Sequence, residues 1–134
     1  MPVNRRDVVK GVTLGAAAMT GAAPASAAAA TAGKIVHHVF FWLKNPGSAA
    51  DRDALIAGVR GLGKIAVVRG IEVGVPASTE ARDVVDASFH VSEMLVFDNV
   101  ADQKTYQDHP LHKEFIAQCG HLWTKVVVYD MVTV

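Results

Sequence analysis

Two segments of this chain are apolar on both faces, and that most restricts what it can fold into. "KIVHHVFFWL" (34–43) is an almost unbroken run of β-branched and aromatic residues stopped by Asn45, Pro46 and Gly47, and "KVVVYDMVTV" (125–134) is its counterpart at the other end. Between them the hydrophobic period changes. "SAADRDALIAGVRGLGKI" (48–65) recurs at Leu55, Val59 and Leu62 on one helical face, with Ser48 as N-cap. "VVRGIEVGV" (67–75) reads as a second strand, Pro76 to Asp86 as a polar loop, and "SFHVSEMLVF" (88–97) as a third strand. In this third strand His90, Ser92, Met94 and Val96 share one face; Phe89, Val91, Glu93, Leu95 and Phe97 share the other. Asn99 caps a helix over "VADQKTYQ", Pro110 interrupts it, and "LHKEFIAQC" resumes it.

The order is β-α-β-β-α-β, the ferredoxin-like arrangement of the α+β class. Two helices cover one face of a four-stranded antiparallel sheet, so the apolar far face needs a partner. A second copy of the same sheet is the simplest cover, and a twofold homodimer is expected.

The first 33 residues read as a separate segment. Arg5 and Arg6 precede the uncharged run "VTLGAAAMTGAA", and Ala25, Ser26 and Ala27 supply a small-residue cleavage pattern. This resembles a twin-arginine export signal. Cleavage between Ala28 and Lys34 would leave residues 34–134 as the domain, exported to the periplasm or beyond. The apolar run is too short and too rich in Ala and Gly for a stable membrane span, so none is expected after processing.

Charge narrows the partners. Thirteen Lys and Arg balance thirteen Asp and Glu, so no basic field points to nucleic acid. Cys119 is the single cysteine; no intramolecular disulfide can form, and its apolar neighbours suit a small buried residue better than a nucleophile.

Chemistry-bearing residues concentrate in "TYQDHPLHKEF" (105–115). Pro110 disfavours a helical His109, so a new helix starts there, with Asp108 or His109 as cap and His112 in its first turn. The positive end of the helix dipole disfavours a charged imidazole, and neutral His112 can act as a base. The bend can bring Tyr106 back toward it, a pair able to polarise a carbonyl and remove a neighbouring proton. The same residues also suit a helix break whose side chains satisfy loose backbone groups. His109 and His112 offer two metal ligands at H-x-x-H spacing, but no third or fourth ligand follows, and no metal is assigned.

"HHVFFWLK", "FHVSEMLVFDNVADQKTYQDHPLHKEF" and "LWTKVVVYD" together resemble the stress-responsive α/β-barrel (Dabb) domain family, with Y-x-x-H-P-x-H the most specific part. The resemblance implies a ferredoxin-like protomer paired through its sheet into a dimeric α/β barrel. It also implies chemistry without metal or organic cofactor, as in a plant polyketide cyclase of the family, with Tyr106 and His112 as catalytic residues. Positions lining that pocket fall on His38, Phe40, Trp42, Phe115 and Trp123. Accordingly His38, Phe40 and Trp42 are expected to face the helices, and His37 and Phe41 the dimer side. The ligand would be an aromatic or polyketide-like carbonyl compound. The alternative is a non-catalytic binding or stress-protective dimer, in which the same residues only shape the pocket.

Overall fold

The computed structural model describes residues 33–134; the export signal expected over residues 1–33 lies almost wholly outside them. The elements are β1 (Ile35–Leu43), α1 (Ala49–Gly61), β2 (Gly70–Gly74), β3 (Val91–Phe97), α2 (Val100–Asp108), α3 (Pro110–Cys119) and β4 (Trp123–Val132). Short 3-10 turns follow α1 and α3. The sheet order is β2-β3-β1-β4 with every neighbouring pair antiparallel, which is the expected ferredoxin-like topology.

Local chemistry sets the helix ends. Ser48 Oγ accepts from the Asp51 N–H at 3.1 Å, and Asn99 Oδ1 from the Asp102 N–H at 2.8 Å. His109 sits in extended conformation between α2 and α3, its Nδ1 accepting from the Leu111 N–H at 3.0 Å with Pro110 at the first helical position. The core lies between the helices and one sheet face: Leu55, Val59 and Leu62 from α1 and its following turn meet Val91, Leu95 and Phe97 of β3. α1 and α3 approach closely at Gly58, where an added Cβ would lie 2.6 Å from Cys119 Sγ. Cys119 is buried there, and burial raises its thiol pKa, so it packs as a small apolar group.

The parity of β1 reverses the expected placement. Ile35, His37, Val39, Phe41 and Leu43 are buried toward the helices, whereas His38, Phe40 and Trp42 are half-buried on the open face. A strand apolar on both sides gives alternation without saying which set faces which layer, and the third strand decides it. Val39 pairs with Glu93 and His37 with Leu95, so the odd-numbered set shares the face of the apolar β3 residues that the helices cover. Phe41, expected on the dimer side, is 2% exposed in the protomer core.

The open face carries Phe40 and Trp42 from β1 with Val127, Tyr129 and Met131 from β4, and Tyr129 is 66% exposed. Tyr129→Asp should therefore turn a dimer into folded monomers, while Phe41→Asp should abolish folding, because only the second charge is desolvated within one protomer. Sedimentation with circular dichroism separates the two outcomes. A Tyr129→Asp protein of unchanged mass would show that this face is not the contact.

Candidate active site

A pocket of about 310 Å³ lies on the helix side of the sheet, between α2 and α3 and the strands β1, β3 and β4. Its polar groups are His37, Glu93, Tyr106, Gln107 and His112; Phe115, Trp123, Val126 and Val128 supply much of the apolar wall. The Pro110 break creates the central pair. Tyr106 lies in the last turn of α2, His112 in the first turn of α3, and their rings meet at 4.8 Å between centroids and 59°. Trp123 reaches the pocket through a register shift at Trp42–Leu43, where β4 pairs Lys125 with Trp42 but Trp123 with Leu43. The extra residue, Thr124, turns the Trp123 indole to the helix side, where it lies 5.1 Å from Phe41 and 5.7 Å from Phe115.

Four of the seven site residues expected from sequence thus come together: Tyr106, His112, Phe115 and Trp123. The other three do not. His38, Phe40 and Trp42 line two cavities of about 200 and 390 Å³ on the opposite face. There His38 Nε2 lies 2.9 Å from Ser92 Oγ, whose hydroxyl donates to the Val39 carbonyl at 3.0 Å. That hydroxyl proton is engaged by the backbone, so Ser92 accepts from His38 and the two do not make a nucleophile and base.

His37 takes the place expected of His38. It is 6% exposed, with its ring 5.8 Å from that of Tyr106, and its Nδ1 lies 2.5 Å from Asp130 Oδ1, its cross-strand partner on β4. In the neutral ring this carboxylate holds the proton on Nδ1 and leaves Nε2 as an acceptor. Glu93 is the second residue that sequence reasoning passed over. It is 2% exposed, and its Oε2 is the one buried side-chain polar atom without a hydrogen-bond partner among the described residues. The available signal was a lone acid on the otherwise apolar face Phe89, Val91, Leu95, Phe97.

Burial sets the protonation states. Desolvation pushes the Glu93 carboxyl from 4.5 up to about 8, so it is largely a neutral acid at pH 7. Tyr106 is raised well above the ordinary phenol range, by burial first and then by the nearby Glu93 carboxyl. His112 is lowered mainly by burial; a hydrogen bond to the Gln107 backbone opposes this and the charge of His37 adds to it. The pocket therefore presents two O–H donors and a neutral imidazole.

Among the described residues no group of three or more His, Cys, Asp or Glu is arranged to hold a metal ion. His109 is occupied in capping α3, apart from the pocket His112 lines. No helix among the described residues is long and apolar enough to cross a membrane.

With the geometry in place, comparison supplies the family. The sequence profile of the stress-responsive A/B barrel domain, Dabb, matches residues 35–133. The chain belongs to this family. A Dabb protein of ferredoxin-like fold from Mesorhizobium loti is 23% identical, with 76% of this chain covering 98% of that one at a TM-score of 0.62. A hydroxynitrile lyase from Passiflora edulis is 24% identical, with 76% covering 94% at 0.65. A dimeric ferredoxin-like protein from Bacteroides fragilis is 22% identical, with 74% covering 95% at 0.57. At these identities the likeness establishes the fold of this Dabb protein, and dimers are found among its structural relatives. No protein of curated function matches the sequence.

The Glu93 assignment carries a stability signature. Between about pH 4.5 and about 8 the unfolded carboxyl is ionised while the folded one keeps its proton, so stability falls as pH rises through that window and levels off above it. The limiting slope for one such group is about 1.4 kcal/mol per pH unit. Denaturant unfolding of Glu93→Gln across this range should lack that component. Parallel profiles for variant and wild type would show that Glu93 ionises normally.

Proposed function

We propose that this Dabb protein is an exported homodimer whose protomers each bind a small aromatic or polyketide-like carbonyl compound and perform cofactor-free proton chemistry on it. The observation that carries the reading is the contact of Tyr106 and His112 beside the 310 Å³ pocket, one held as a phenol and the other favoured as a neutral imidazole. His112 removes a proton from the carbon next to the carbonyl, and Tyr106 donates to the oxygen on which charge develops. Phe115 and Trp123 supply apolar walls that exclude water and hold a flat ligand. A hydroxynitrile lyase with this fold supports the scaffold's capacity for catalysis. Phe40 and Trp42 lie on the open face, apart from this pocket, where the apolar surface suits association.

Deuterium incorporation into the methyl group of acetophenone in D2O, followed by proton NMR, tests the chemistry. Wild type should accelerate exchange over buffer, and His112→Ala should lower the rate by roughly 100-fold or more. Tyr106→Phe should lower it as well, with both variants retaining cooperative thermal unfolding. Tyr106 is only 1% exposed, as a purely structural tyrosine would be, so a second outcome has weight. Ligand binding without exchange in any form would make the protein a binding module.

Export is supported by Arg5 and Arg6 ahead of the Ala25-Ser26-Ala27 pattern. Replacing both arginines with lysine should retain the precursor in the cytoplasm, as cell fractionation would show. Unchanged processing of that variant would remove the twin-arginine reading.

A further inference from the structure

The pocket holds one group that the proposed proton transfer leaves unused. Glu93 projects from β3 into the wall that also contains Tyr106, its ionised form opposes ionisation of the Tyr106 phenol, and its Oε2 is buried without a partner. A buried polar atom with no partner costs about 1–3 kcal/mol, and an apolar side chain would fill the same place without that penalty. The groups facing it are His37 from β1, Tyr106 from α2 and His112 from α3. Val73 is its neighbour on β2, and Asp130 of β4 is engaged by His37. No Lys or Arg lines this pocket to pair with a carboxylate.

We propose that Glu93 and Tyr106 together form an oxyanion site, and that the ligands this pocket holds best are enolates and phenolates, planar compounds whose negative charge is spread from one oxygen into a conjugated system. The inference rests on the reading of His112 as base and names what its product must meet. Glu93 acts as the carboxylic acid, with its O–H aimed at the same oxygen as the Tyr106 O–H. Being 2% exposed, it reaches that oxygen by turning its terminal carboxyl torsion toward the cavity, a soft rotation. In the reaction the C–H bond beside the carbonyl breaks, its proton passes to the unprotonated nitrogen of His112, and its electron pair moves onto the carbonyl oxygen. Both donors keep their protons, and no oxidant or co-reactant is needed. Two preorganised donors in an apolar, water-poor setting stabilise such an oxygen far more than they would in water. A tyrosine beside a carboxylic acid kept neutral by burial is an established way to build this site in an unrelated enzyme.

The probe is 4-nitrophenol, whose visible absorbance reports its own ionisation. Titrated with the full chain at pH 7, it should bind as the phenolate, and Glu93→Leu should weaken binding at least tenfold. Wild-type affinity should fall as pH rises past about 8, because ionised Glu93 sets a second negative charge against the ligand. Glu93→Gln retains an N–H donor that does not ionise and should hold the phenolate into that range. In protein labelled with 13C at glutamate carboxyls, one resonance should titrate near 8 and be absent from Glu93→Gln. Binding of the neutral phenol, equal affinity in Glu93→Leu, or no binding by wild type would each overturn the proposal. So would glutamate resonances that all titrate in the ordinary carboxylate range. The two readings fail separately. Acetophenone exchange that needs His112 and ignores Glu93 removes the oxyanion site alone; phenolate binding that needs Glu93, with exchange indifferent to His112, removes the base alone.

Discussion

Everything in this fold depends on β1 lying second from one edge of a sheet that, among the described residues, has helices on one side only. Hydrogen-bonded to β3 and β4 along its length, it fixes which side chains enter which layer. Its odd-numbered residues enter the protomer core and the pocket; its even-numbered residues form the open face. A slip of one residue would exchange His37 for His38 and Phe41 for Trp42, breaking the pairing of His37 with Asp130 and forcing an indole into the place of a core phenyl ring. The pairing of Val39 with Glu93 and of His37 with Asp130 therefore determines the composition of the candidate site as much as any side chain within it.

The topology, the helix caps and the Pro110 break were legible in the sequence because each has a local cause. Ser48 and Asn99 precede acidic first turns, and a proline cannot continue a helix. Tyr106 and His112 were legible for the same reason: the break that brings their rings together is written between them. The facing of β1 was not legible, since Val, Phe and Trp suit either side of a strand and only the alternation shows. Trp123 joins the pocket through a register shift that no single-strand period announces. Glu93 could be seen as an acid out of place, but its burial, and hence its neutral state, follows from how α2 closes over β3.

Burial also explains how a pocket rich in ionisable groups remains compatible with folding. Three of its residues have their charged forms suppressed by loss of water: Glu93 as an acid, Tyr106 as a phenol, His112 as an imidazole. Keeping these three groups neutral avoids the desolvation of fixed charge and retains directional hydrogen bonding. The aromatic residues around it do the rest of the packing, with Phe97 against Tyr106 at 5.1 Å and Phe115 against Trp123 at 5.7 Å.

The edge strand β4 serves two surfaces with consecutive residues. Val126 and Val128 border the pocket, while Val127 and Tyr129 belong to the opposite face. A shift of this strand would alter both surfaces at once, because their side chains alternate along it. A filled cavity and a covered open face would share this one backbone, and any linkage between them would be reciprocal: whatever occupancy did to association, association would do to occupancy in equal measure.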